Sequence, residues 1–268
     1  MSHVLKKVSL GMFAIAMAFA GYFAAAPSVS ALTSIGEISA GDLIRGETFS
    51  AVYYMGEDGM RYVFPNQKTY DTWYSDFDDV RFISDTDLAT IQIGGNVTYR
   101  PGVMMIKITS DPNVYAVSER GTLRHVDGED VATALYGSSW NTMIHDIPDG
   151  FFTNYSIGEA ISDASDYDAH LETSLATTID ADKGLLPPAE IDVSGSGFSP
   201  IDVTISAGQG VRFTNTGSEK HNATGDDLTW GTGTLSAGSV WIVTFEEEGV
   251  YTFYDGYDSS NTGAVFVD

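Results

Sequence analysis

Through most of the chain, apolar and polar residues alternate in short runs, the period of half-buried strands rather than of helices. From Val52 to Val63 the alternation turns at Gly56 to Gly59, which predicts a β-hairpin. The same pattern returns from Val114 to Val126 around Gly121, with one residue inserted. Behind each hairpin lies a short helix-compatible stretch, Tyr70 to Trp73 in one case and Val131 to Tyr136 with Trp140 in the other. Each copy then runs through Ile83-Ser84-Asp85 or Ile144-His145-Asp146 to a closing strand at Ile93-Gly94 or Ile157-Gly158. The copies are offset by 62 to 64 residues, so 32–161 reads as a duplicated β-rich α+β module with copies at about 41–97 and 98–161. Gly41 to Gly46 echoes Gly95 to Gly102, and the echo is expected to supply a joining strand.

The ends of this module differ in character. Met1 to Lys7 is short and basic, Val8 to Ala26 is almost unbroken apolar sequence, and Val29-Ser30-Ala31 offers small residues for cleavage. Residues 1–31 therefore read as an export signal, which places the protein outside the cytoplasm: secreted, at the cell surface or periplasmic. An uncleaved signal is the one route to a membrane anchor in this reading. On the other side, 162–190 carries Asp163, Asp166, Asp168, Glu172, Asp180 and Asp182 before Leu185-Leu186-Pro187-Pro188. It lacks strand alternation and is expected to be a solvated acidic linker with a short helix around His170 to Ala176.

Composition removes whole classes of function. Acids outnumber bases 37 to 13, a formal charge of -24 that repels nucleic acid and anionic lipid. The 268 residues include no cysteine, which excludes disulfides, thiol catalysis and thiolate metal sites. Tyr53, Tyr54, Tyr62, Phe64, Tyr70, Trp73, Tyr74 and Phe77 are read as core in preference to a groove for a cell-wall glycan or peptide. His125 and His145 have no neighbours at ligand spacing, so no metal is expected there. No nucleophile motif, phosphate-cradling loop or paired-histidine zinc motif is present, and the chain is read as non-enzymatic. The duplicated region resembles tandem modules of exported bacterial proteins, a resemblance that implies no activity.

From Ile191 onward short strands are broken by Gly, Asn and Ser turns, the pattern of an all-β sandwich. Strands are expected at Ile191-Val193, Val203-Ile205, Val211-Thr214, Val240-Phe245, Val250-Phe253 and Ala264-Val267. Phe198-Ser199-Pro200, Val203 to Asn215, Lys220-His221-Asn222-Ala223-Thr224, Gly233 to Gly238, Gly249 to Tyr254 and Thr262 to Val267 follow in an order that resembles a plastocyanin-like cupredoxin. That resemblance implies a Greek-key β-sandwich over 191–268, so the whole chain is expected to be mainly β. It also implies a blue copper site built from a mid-domain His and from Cys, His and Met in the last loop. Here His221 matches the first ligand, while Asp255, Asp258 and Asn261 stand where the Cys, second His and Met belong. Without a thiolate, Cu(I) loses its soft ligand; imidazole and carboxylates suit Cu(II), Zn²⁺ or Mn²⁺ instead. The expectation is therefore a degenerate site without cofactor in an envelope or extracellular binding or structural protein, whose ligand the sequence does not name. The alternative is a copper or other divalent-metal protein using His221, Asp255, Asp258 and Asn261. Trp230, Tyr254 and Tyr257 are read as a binding surface around the last loop.

Overall fold

The computed structural model describes residues Leu32 to Asp268; the expected export signal, 1–31, lies outside the described residues. In the first copy the hairpin is β2 (Tyr53–Met55) with β3 (Arg61–Val63), preceded by β1 (Leu43–Arg45). It is followed by α1 (Gln67–Tyr70), β4 (Val80–Phe82), α2 (Asp85–Thr90) and β5 (Ile93–Asn96). The second copy repeats the strands as β6 (Met105–Ile108), β7 (Tyr115–Ser118), β8 (Thr122–His125), β9 (Ile144–Ile147) and β10 (Ser156–Ile157). Its helices are α3 (Glu129–Tyr136) and α4 (Asp149–Phe152). The first sheet has the order β4-β1-β2-β3-β5 and the second β9-β6-β7-β8-β10. In both, the three middle strands run antiparallel and each outer strand lies parallel to its neighbour. The duplication therefore extends to strand order and direction.

Local chemistry accounts for the punctuation. Asn66 and Ser84 accept the Thr69 and Asp87 N–H groups and cap α1 and α2. The Gly41 to Gly46 echo does hold a strand, β1, whereas its counterpart Gly95 to Gly102 holds only the end of β5. Residues 97–104 form a connection instead, and the second sheet takes up its ladder at Met105. Pro101 has no N–H to give a ladder, and Gly102 adopts φ +75°, so the chain turns there. Tyr54, Tyr62, Phe64 and Tyr70 are buried in the first core with Leu43 and Val97, while Phe77 is exposed.

The stretch 162–190 has the expected short helix around His170 to Ala176, but it is not solvated throughout. It folds into α5 (Ala169–Leu175) and α6 (Ile179–Lys183), and Ile179 is fully buried in the first core. The Tyr54 hydroxyl donates to Asp180, whose Oδ1 also accepts the Glu57 N–H at 2.9 Å. Asp182 accepts the Arg120 N–H at 3.0 Å, and the Arg100 guanidinium donates to the Ala176 and Thr173 carbonyls. Two carboxylates on one short helix thus tie it to both copies, which is where the expected solvation is replaced by protein donors.

The C-terminal part comprises β11 (Ala189–Ser194), β12 (Gly197–Ser199), β13 (Asp202–Ile205), β14 (Gly210–Asn215), β15 (Thr224–Gly225), β16 (Val240–Thr244), β17 (Gly249–Asp255) and β18 (Asp258–Val267). They form two four-stranded sheets, β12-β11-β14-β16 and β13-β18-β17-β15. Ile191, Val211 and Phe213 of the first sheet share one core with Ile205, Phe253 and Val265 of the second. Strand β14 shows the pattern that builds this core: Val211 and Phe213 are fully buried, with half-buried Arg212 between them. Ile242 of β16 joins the other core, packing with Tyr54 and Tyr62 of the first copy. The Gln92 side-chain amide meets the backbone of that same residue, accepting its N–H and donating to its carbonyl, both at 3.0 Å.

Candidate functional site

The region that carries the expected ligands is a tight hairpin. Asp255 pairs with Asp258 across a turn of Gly256 and Tyr257, and the register shifts between Tyr254 and Asp255. Because β18 begins at Asp258, the expected last loop is mostly strand, and its side chains alternate in direction rather than converge.

Asp255 is fully buried and His221 is 5% exposed. The His221 Nδ1–H donates to Asp255 Oδ2 at 2.6 Å, and Asp255 Oδ1 accepts the Asn222 and Tyr257 N–H groups at 3.1 and 3.0 Å. Asn222 returns the contact by accepting the Gly256 N–H at 2.6 Å. The loop that carries His221 is held from below by an antiparallel bridge to Leu235 and by Asn215. Fully buried Asn215 donates to the Glu219 and Leu235 carbonyls and accepts the Gly217 N–H. An imidazole donating from Nδ1 is, when neutral, an acceptor at Nε2. That Nε2 is buried and has no partner.

The other two expected ligands make no hydrogen bond to this pair. Asp258 is exposed, and its Oδ1 accepts the Ser260 hydroxyl and N–H, contacts that hold its carboxyl below the usual range. Asn261 sits on β18 against Gly197 of β12, where an added Cβ would lie 3.1 Å from its Oδ1. Both oxygens of Asp255 are engaged by protein donors, and His221 Nδ1 faces Asp255. Among the described residues, no group of three or more His, Cys, Asp and Glu side chains is placed to hold a metal ion. The residues present do not fit a blue copper centre, because the hairpin presents a carboxylate to the imidazole where that centre needs a thiolate.

The expected binding surface also divides. Tyr257 is exposed on the turn with its hydroxyl 2.8 Å from Thr234 Oγ1, and Tyr254 lies half-buried on β17. The Trp230 ring is half-buried and packs against the core, 5.0 Å from Phe245 and 5.8 Å from Phe253. Sequence reasoning does not single out Asn215 or Asn222. Both lie in stretches that carry the family resemblance, and their roles depend on backbone groups that become neighbours only in the fold.

No protein-family model matches the chain, and the search of curated proteins found no match. Among solved structures there is a distant, partial likeness to cupredoxins. A purple cupredoxin from Nitrosopumilus maritimus is 28% identical over 30% of this chain and 99% of its own, with a TM-score of 0.29. A copper-containing nitrite reductase from Thermus scotoductus is 21% identical over 30% of this chain and 22% of its own, with a TM-score of 0.28. A reduced amicyanin variant is 17% identical over 30% of this chain and 82% of its own, with a TM-score of 0.29.

Proposed function

We propose that the protein is an exported, non-enzymatic envelope or extracellular protein with a binding or structural role. In this reading its C-terminal part is a Greek-key sandwich of cupredoxin type that has exchanged a copper centre for a hydrogen-bonded pair. The carrying observation is the His221 Nδ1 to Asp255 Oδ2 contact of 2.6 Å, with the second Asp255 oxygen taken by two backbone N–H groups. A buried carboxylate satisfied in this way needs no cation, and the pair fastens the His221 loop to the β17–β18 hairpin. The surplus of 37 acids over 13 bases favours partners other than nucleic acid. Export rests on the basic, apolar and small-residue order of 1–31.

One observation favours a second reading. His221 Nε2 is buried without a partner, and a carboxylate behind the other ring nitrogen is the usual support of a metal-bound imidazole. Calorimetric titration of residues 32–268 with Cu(II), Cu(I) and Zn²⁺, followed by visible absorption, separates the two. The proposal expects no stoichiometric binding at micromolar affinity. One-to-one binding that disappears in His221→Ala would replace it with metal handling.

A further inference from the structure

Two clefts in the duplicated module are built on one plan. The larger, about 600 Å³, lies at the end of the first hairpin, lined by Val52, Phe64, Asn66, Tyr70 and Phe77 among others, with Phe151 from the second copy. The smaller, about 240 Å³, lies at the end of the second hairpin. Eight of the nine residues lining the smaller cleft stand 62 positions after one lining the larger, as Val114 follows Val52 and Ala132 follows Tyr70. The one departure is Trp140, which stands 63 after Phe77. A depression that recurs at equivalent positions, each time with an aromatic at its flank, is a property of the repeated unit rather than an accident of packing in one copy.

We infer that these clefts are paired saccharide sites that take uncharged pyranose units, each seated against its flanking aromatic. This names the ligand class of the binding role proposed above and rests on that reading. Phe77 stacks on Tyr70 at 4.3 Å and 11°, so one ring face is covered, and the side chain is still 47% exposed. An apolar ring face with hydrogen-bonding groups around it matches a pyranose, whose C–H faces are apolar and whose rim is hydroxyl. The polar groups of the larger cleft are of that kind. Asn66 uses its Oδ1 on Thr69 and keeps its Nδ2, Asn96 uses its Nδ2 on Asn154 and keeps its Oδ1, and Gln67 is exposed. No charged side chain lines this cleft, the smaller one carries the carboxylate of Glu129 on its wall, and with the chain's charge of -24 both oppose uronate or phosphate polymers. An extended peptide would need open backbone groups to pair with. The hairpin strands β2 and β3 have none to offer, since each is already paired on both sides.

The test is calorimetry and tryptophan fluorescence on residues 32–268 with cellotetraose and tetra-N-acetylchitotetraose, Trp140 acting as the reporter at the smaller cleft. At least one sugar is expected to bind. Phe77→Ala and Trp140→Ala are each expected to weaken it about three- to tenfold, the worth of one aromatic contact, with a larger loss in the double variant. Because Phe77 and Gln67 are exposed, Phe77→Ala and Gln67→Ala probe the cleft without opening the core. The inference is overturned if neither sugar binds below about 10 mM, or if both aromatic variants bind as the parent does. Binding of a neutral proline- and serine-rich peptide with no response to sugar would also overturn it and assign the clefts to peptide. Failure here leaves the metal titration unaffected, so a silent sugar assay and a positive copper assay refute different claims.

Discussion

Asp182 offers a measurable consequence of the way α6 is held between the copies. Its carboxyl is 3% exposed, Oδ1 accepts the Arg120 N–H, and Oδ2 is buried with no partner. Burial raises its pKa from 3.8 to about 6, against the opposing Arg120 hydrogen bond and the Lys183 charge. A carboxyl with a higher pKa in the folded state holds its proton more tightly there. It therefore adds stability that is complete below pH 3.8 and is lost as the pH rises through about 6. The gap of about two pH units corresponds to about 3 kcal/mol, an upper figure because neighbouring acids titrate with it. Asp182→Asn keeps an oxygen for the Arg120 N–H and removes the buried charge. Urea unfolding of the parent and the variant between about pH 4 and pH 7.5 would measure the difference. The variant is expected to be the more stable at the upper end by about 1–3 kcal/mol, with the advantage shrinking toward the lower end. A variant that is less stable at the upper end would refute the reasoning. It would mean that the ionised Asp182–Lys183 neighbours stabilise the fold and that desolvation is the smaller effect.

Three further outcomes follow from the packing. His221→Ala leaves fully buried Asp255 without its imidazole and is expected to cost about 3–5 kcal/mol in urea unfolding, with or without added metal. Gly102→Ala would place a Cβ 2.0 Å from the Ala169 carbonyl at φ +75°, so a loss above about 1 kcal/mol is expected by thermal unfolding. Gln92→Ala removes two hydrogen bonds to Ile242 and is expected to cost about 1–3 kcal/mol by the same measurement, with faster amide exchange at Ile242.

The hairpins of both copies were legible because their signal is local: a two-residue period, a glycine turn and a second occurrence to compare with. The docking of 162–190 was not. Its anchors join Tyr54 to Asp180 and Arg120 to Asp182, partners far apart in sequence, and an aspartate bound for a buried N–H looks the same as one bound for water. The site shows the same division. Family resemblance brought His221 and Asp255 to attention as separate ligand positions, yet spacing says nothing about a carboxylate turning toward an imidazole. Spacing alone puts Asp258 and Asn261 at ligand positions of a loop that the fold makes into strand, and spacing loses that meaning once alternate residues face opposite sides. Trp230 reads as a surface aromatic in the sequence because loops at sandwich ends commonly bind partners. Its neighbours Phe245 and Phe253 follow it in the chain, so only the fold reveals that the half-buried ring packs against the core.

The contact between Gln92 and Ile242 binds the fates of the two halves. Strand β16 is the rim of its sheet, and a rim with free backbone groups invites pairing with another chain. One glutamine amide stands in for a neighbouring peptide unit there, while the isoleucine it grips fills a place in the opposite core. Severing the chain between the halves would leave a hole in one and a sticky rim on the other. Melting should accordingly register as one shared transition, and neither half is suited to being shuffled onto a different partner without redesign of this seam.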